Sequence, residues 1–192
     1  MTDSQKRAPE FILWCGPMWS GKSSALLASI DRYRYQGKQV EVFKAAIDDR
    51  YSSCDIVTHT GWKVSADPVG SGADILRRVI ELPGAPNVVA VDEMFMIPGA
   101  ADALIELYRN GVTVIVSSLD LSAQGKPFHE VSVVMPWATR IEKLAAVCTV
   151  CRGDARYTWK KGGGTSEIEV GGGDIYEPRC MHCHPLINLR AA

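Results

Sequence analysis

One octapeptide constrains this chain more than any other feature. Gly16-Pro-Met-Trp-Ser-Gly-Lys-Ser23 has the form G-x-x-x-x-G-K-[ST]. It follows the apolar run Phe-Ile-Leu-Trp-Cys at 11–15, which reads as a buried strand. It precedes Leu26, Leu27, Ile30 and Tyr33, spaced as one face of a helix that Gly37 stops. Strand, loop and helix in that order are what turn the pattern into a mechanism. The loop Gly16, Pro17, Met18, Trp19, Ser20, Gly21, Lys22 and Ser23 can turn backbone N–H groups toward phosphate oxygens, and the helix N-terminus adds its positive dipole end. Lys22 would reach the β- and γ-phosphates of a nucleotide such as ATP, and the Ser23 hydroxyl would ligate Mg2+.

A second apolar strand, Val-Val-Ala-Val at 88–91, runs straight into Asp92 and Glu93. Asp92 reads as the second magnesium anchor. Glu93 reads as a general base, but the adjacent pair of acids does not say whether the proton comes from water or from a substrate hydroxyl. Between and after these motifs strands alternate with helices. Strands are expected at 39–45 and 112–120, and helices at 73–82 and 100–111. That alternation predicts an α/β fold with a mostly parallel sheet. Residues 46–62 are polar and irregular, and a loop of that length in a compact domain is usually functional.

The texture changes after Ala146. Cys148 and Cys151, then Cys180 and Cys183, form two Cys-x-x-Cys knuckles, whereas Cys15 and Cys54 stand alone. Four thiolates from two knuckles suit a closed, structural Zn2+ site. His182 and His184 flank the second knuckle as surface or supporting groups, with substitution for a cysteine ligand as the alternative. Between the knuckles lie the triplets Gly162–Gly164 and Gly171–Gly173, which cannot build a conventional core. They read as a glycine lid that closes over a ligand, with Tyr176 as its large contact residue, or as a flexible surface hairpin. The expected organisation is a polar tail at 1–10, a phosphate-binding α/β core at 11–144 and a zinc-binding unit at 145–192.

A chain of 192 residues suffices for one good core and a small appendage. Its 21 basic and 22 acidic side chains leave a formal net charge of −1, so no global field draws in a nucleic acid. The apolar stretches are too short to span a bilayer, and the first ten residues lack the apolar core of a secretion signal. The cytoplasm is the expected location.

The combined motifs resemble the type II thymidine kinases. Gly-Pro-Met-Trp-Ser-Gly-Lys-Ser-Ser from Gly16, Ile-Asp-Asp-Arg-Tyr-Ser-Ser from Ile47, and Ala-Val-Asp-Glu ending at Glu93 occur in that family's order. So do Ser-Ser-Leu-Asp ending at Asp120, Gly-Lys-Pro-Phe ending at Phe128, Ala-Arg-Tyr-Thr ending at Thr158 and the segment from Gly171 to Cys183. The resemblance implies a RecA-like P-loop core, a small zinc domain and a lasso loop over the nucleoside. It implies transfer of the ATP γ-phosphoryl to the 5′-hydroxyl of thymidine or deoxyuridine, for salvage of DNA precursors. A homotetramer and feedback inhibition by thymidine triphosphate come with it. By position Glu93 is the base, and Asp48 and Arg50 lie beside the reacting phosphate. Met18, Leu119, Phe128 and Thr158 line the nucleoside pocket, with Gly171, Gly172, Gly173 and Tyr176 in the lasso. The sequence departs from the family at Phe95, Met96, Ala123 and Trp19, which bear on the base pocket more than on the phosphate machinery.

Two rival classes are a nucleic-acid-binding ATPase with a zinc ribbon and a non-catalytic nucleotide sensor. Arg152, Arg156, Lys160, Lys161 and Arg179 lend the first some charge, but the knuckles lack the clustered aromatics that stack on bases. A glycine lid that excludes water suits phosphorylation of a small molecule better, so Glu93 is expected to take its proton from a sugar hydroxyl.

Overall fold

The computed structural model describes residues 8–48, 52, 54–58, 60–162 and 171–187. Its first strand, β1 (Phe11–Cys15), is apolar throughout, and Phe11, Leu13 and Cys15 alternate with Ile12 between the two sides of the sheet. Then follow α1 (Lys22–Tyr35), β2 (Val40–Ala45), β3 (Asp55–Val57), β4 (Lys63–Ser65), β5 (Asp67–Val69), α2 (Gly72–Glu81), β6 (Val88–Asp92), α3 (Ala100–Arg109) and β7 (Thr113–Ser118). The chain continues through α4 (His129–Val134), β8 (Arg140–Lys143), β9 (Ala146–Val147), β10 (Asp154–Ala155), β11 (Tyr157–Lys160) and β12 (Tyr176–Arg179).

Six strands form the central sheet in the order β5-β2-β6-β7-β1-β8, and every neighbouring pair is parallel. Helices cover both faces, as a parallel sheet requires. On one side Leu26, Leu27 and Ile30 of α1 pack with Ile12, Val88, Ala90 and Ile115. On the other, Ile75, Leu104 and Val131 from α2, α3 and α4 pack with Leu13, Val89, Val91 and Val114. Helix α2 approaches α3 closely at Gly72, where an added Cβ would lie 2.0 Å from the Gly99 carbonyl oxygen. Its N-terminus carries a reciprocal cap: Ser71 Oγ accepts from Asp74 N–H at 3.3 Å and donates to Asp74 Oδ2 at 2.9 Å.

The α/β class and the parallel sheet agree with the alternation in the sequence. Three features differ from the sequence expectation. The stretch expected as one irregular loop, 46–62, contains β3, which pairs antiparallel with β4. Strand β8 closes the sheet beside β1, yet its Arg-Ile-Glu-Lys sequence is largely exposed and has no apolar run to announce it. Strand β5 includes Pro68, tolerated because β5 is an edge strand. No helix among the described residues is long and apolar enough to cross a membrane.

The cysteine-bearing end is built from two small antiparallel pairs, β9 with β10 and β11 with β12. The glycine segment between β11 and β12 is described at Gly162 and from Gly171 onward. Gly163, Gly164 and the alternating stretch 165–170 lie outside the described residues, as does Arg50.

Candidate active site

The phosphate loop joins β1 to α1 and is tight from its first residue. Gly16 has φ 137°, and a Cβ there would meet the Leu144 carbonyl oxygen at 2.5 Å, so no larger residue fits between β1 and the end of β8. Gly21, also left-handed, caps α1 without a side-chain hydrogen bond, and no acid sits in the helix's first turn. An uncapped, acid-free helix start is suited to an anion. Ser20 Oγ and Lys22 Nζ both donate to the Pro17 carbonyl, at 2.8 and 2.7 Å, which draws the loop around itself.

Asp92 ends β6, and Ser23 Oγ lies 3.3 Å from each of its carboxylate oxygens. Ser117 at the end of β7 also donates to Asp92 Oδ1. Burial, and then the charge of Glu93, pushes the Asp92 carboxyl up to about 6; the Ser117 hydroxyl opposes them. Asp48 raises it further, while Lys22 lowers it. Glu93 itself takes a left-handed backbone, φ 51° and ψ 44°. A side chain held there costs about 1–3 kcal/mol, a strain typical of functional positions.

These groups share one cavity of about 270 Å³, lined by Met18, Trp19, Lys22, Ser23, Asp48, Asp92 and Glu93 and by Gly172 of the glycine segment. Its other wall comes from residues that no sequence motif singles out: Lys44, then Asp55, Ile56, Val57 and Thr58 around β3. Lys44 is buried, and its Nζ donates to the carbonyls of Ser52 at 2.5 Å and Asp55 at 3.2 Å. The length of the 46–62 loop signals those around β3, and nothing signals Lys44 on β2.

The four cysteine sulfurs of Cys148, Cys151, Cys180 and Cys183 lie within 4.8 Å of one another, and Cys151 Sγ is 3.6 Å from Cys180 Sγ. Tetrahedral Zn2+ with bonds of about 2.3 Å would set its sulfurs roughly 3.8 Å apart, so this cluster could hold zinc. Burial pushes the Cys148 thiol up, yet N–H groups of Cys151, Cys180 and Val150 and the Cys151 thiol outweigh it and bring it down to about 6. Cys183 is pushed up to about 12, first by its contact with Cys180. A metal held by these four sulfurs would displace the protons of the thiols. His184 is not part of this cluster: its buried Nε2 lies 3.2 Å from the Thr158 carbonyl oxygen.

A comparison with known families decides the relationship: the thymidine kinase family model matches residues 10–184. The chain belongs to the thymidine kinase family. It is therefore a kinase that phosphorylates nucleosides, and the parallel core with a cysteine cluster is the fold of that family.

The thymidine kinase residues implied by resemblance fall in two groups. Met18, Asp48, Glu93 and Gly172 line the cavity. Leu119, Phe128, Thr158, Gly171, Gly173 and Tyr176 are not among its lining residues. Leu119 packs partly buried on the core, and Phe128 is buried with its ring 4.4 Å from that of Phe95. Phe95 thus fills the core beside Phe128, and Met96 is buried with it. Thr158 is buried too, and its Oγ1 accepts from Met18 N–H at 3.0 Å. Tyr176 N–H donates to the Gly172 carbonyl at 2.9 Å, and a Cβ on Gly173 would lie 3.5 Å from the Trp19 ring. Gly172 and Gly173 accordingly lie beside the loop between β1 and α1.

Proposed function

We propose that this chain transfers the γ-phosphoryl of ATP to the 5′-hydroxyl of thymidine or deoxyuridine. The observation that carries the reading is a single cavity in which the loop lysine Lys22, the Ser23–Asp92 pair and the strained acid Glu93 all face the same space. Lys22 and the start of α1 bind and orient the phosphates. Glu93 accepts the proton of the sugar hydroxyl as that oxygen attacks phosphorus, and Asp48 and Arg50 orient the reacting groups. Gly172 and its neighbours, with Tyr176, cover the nucleoside and exclude water, which would otherwise compete as nucleophile.

Among the described residues, the cavity wall includes Asp48, Asp55, Asp92 and Glu93 beside the lysines Lys22 and Lys44. A polyphosphate entering such a wall is repelled unless a divalent cation accompanies it. The Ser23 hydroxyl and Asp92 carboxylate offer the hard oxygen ligands that Mg2+ takes, and the ion would neutralise charge on the transferring phosphoryl. Zn2+ would be held by Cys148, Cys151, Cys180 and Cys183 as a structural staple. A homotetramer, feedback inhibition by thymidine triphosphate and a cytoplasmic location are carried by the family resemblance.

The test is a panel of labelled-ATP assays with all common nucleosides and with single-stranded DNA. Label should pass to thymidine or deoxyuridine, with little ATP turnover in their absence. Turnover stimulated by DNA alone would replace this reading with a nucleic-acid-dependent ATPase.

A further inference from the structure

His184 follows the last cysteine of the cluster and its side chain is fully buried. Leu186 N–H donates to its Nδ1 at 3.2 Å, so the proton must sit on Nε2. That nitrogen lies 3.2 Å from the Thr158 carbonyl oxygen and donates to it. The Tyr157 ring meets the imidazole edge-on, with centroids 6.0 Å apart, and holds its orientation. Thr158 in turn uses its hydroxyl oxygen to accept from Met18 N–H in the phosphate loop, 140 residues away in the chain. The same knuckle is tied back by Arg179, whose Nη1 donates to the Cys183 carbonyl at 3.2 Å and whose guanidinium lies over the Trp159 ring.

We propose that His184 is a positioning residue: through Thr158 it sets the backbone of Met18, so that the cysteine cluster and the phosphate loop act as one rigid device. The His184 hydrogen bond is buried and the Met18 one part-buried, and Thr158 makes both. Removing the imidazole donor leaves a buried carbonyl unsatisfied and frees β11 to shift. The consequence appears at the loop, not at the cysteines. The proposal rests on the reading of Gly16–Ser23 as the phosphate site.

Titration calorimetry with ADP, which needs no phosphoryl transfer, tests it alongside metal analysis of each variant. His184→Phe keeps the ring volume without a donor, and His184→Gln restores an N–H at nearly the same reach. H184F should bind ADP roughly 3- to 10-fold more weakly while retaining its zinc, and H184Q should stay within about 2-fold of the parent. Thr158→Val should weaken ADP by a similar factor, with Thr158→Ser restoring it. Combining H184F with T158V should cost no more than either alone, because both break one linkage. Parent-like ADP affinity in zinc-loaded H184F, equal damage in H184Q, additive losses in the double variant, or weakened binding that simply tracks lost zinc would each overturn the proposal. If H184F does not fold, T158V against T158S decides, and unchanged affinity in T158V overturns it. A parent protein that binds ADP but phosphorylates no nucleoside would defeat the proposed function and leave this linkage standing.

Discussion

Glu93 is the residue on which the proposed chemistry turns. Its left-handed backbone follows directly from the end of β6 and directs the chain away from the sheet beside Asp92. If it accepts the sugar proton, Glu93→Gln should keep ATP affinity, because the amide has the same size, while turnover falls about 10²- to 10⁴-fold. Steady-state turnover with a parallel nucleotide titration checks this, and near-parent turnover removes Glu93 as the base. Lys22→Ala should behave in the opposite sense. Its charge meets phosphates already in the ground state, so the loss should be read in nucleotide affinity itself. Both expectations come from the sequence, because each residue sits inside a short motif. Lys44 does not: nothing local distinguishes one lysine in an alternating strand from another. Only the arrival of Ser52 and Asp55 over its ammonium group makes it part of the site.

At the scale of the element, α2 shows how local chemistry fixes a boundary. The Ser71 hydroxyl holds the Asp74 carboxyl below its ordinary value of 3.8, with the Gly70 N–H and Arg77 assisting. A depressed carboxyl contributes stability above its unfolded value, and that contribution is lost as pH falls through the lower folded-state value. Ser71→Ala removes the N-cap of α2, and loss of a serine cap costs about 1 kcal/mol of stability. The difference from the parent should shrink in strong acid, and denaturant melts at neutral pH and in strong acid check both statements. Elements with a continuous apolar run or a helical period, such as β1, β6, β7 and α1, can be read from the chain itself. Strand β8 and helix α4 cannot, since an exposed four-residue strand and a six-residue helix are too short to show a period.

Across the whole molecule, the cysteine cluster lies far along the chain from the phosphate loop but not far in space. Thr158, between the two, bonds to Met18, and Gly173 reaches Trp19. One Zn2+ per chain is expected on metal analysis, and its removal by a chelator should unfold the hairpins that carry Cys148 to Cys183. Because those hairpins support the loop, nucleoside and nucleotide affinity should both fall on removal; an unaffected nucleotide affinity would show the two ends to be independent. Tyr176→Ala is the complementary perturbation. It should weaken nucleoside more than ATP, as separate titrations of each ligand will show.

The sequence alone determined the parts that depend on residues close together in the chain. The phosphate loop, the acid pair at the end of a buried strand and the two cysteine knuckles are spacings of a few residues, and their chemistry follows from spacing. It also determined the α/β class, because strand and helix periods alternate along the chain. Tertiary structure alone decided that β8 lies beside β1, that residues around β3 wall the cavity and that Phe95 packs into the core with Phe128. It alone decided that His184 reaches the phosphate loop through Thr158. Those pairings join residues many positions apart through a short strand ladder, a cavity wall, single hydrogen bonds or a ring contact. Such contacts repeat with no period and so leave no trace in a linear reading.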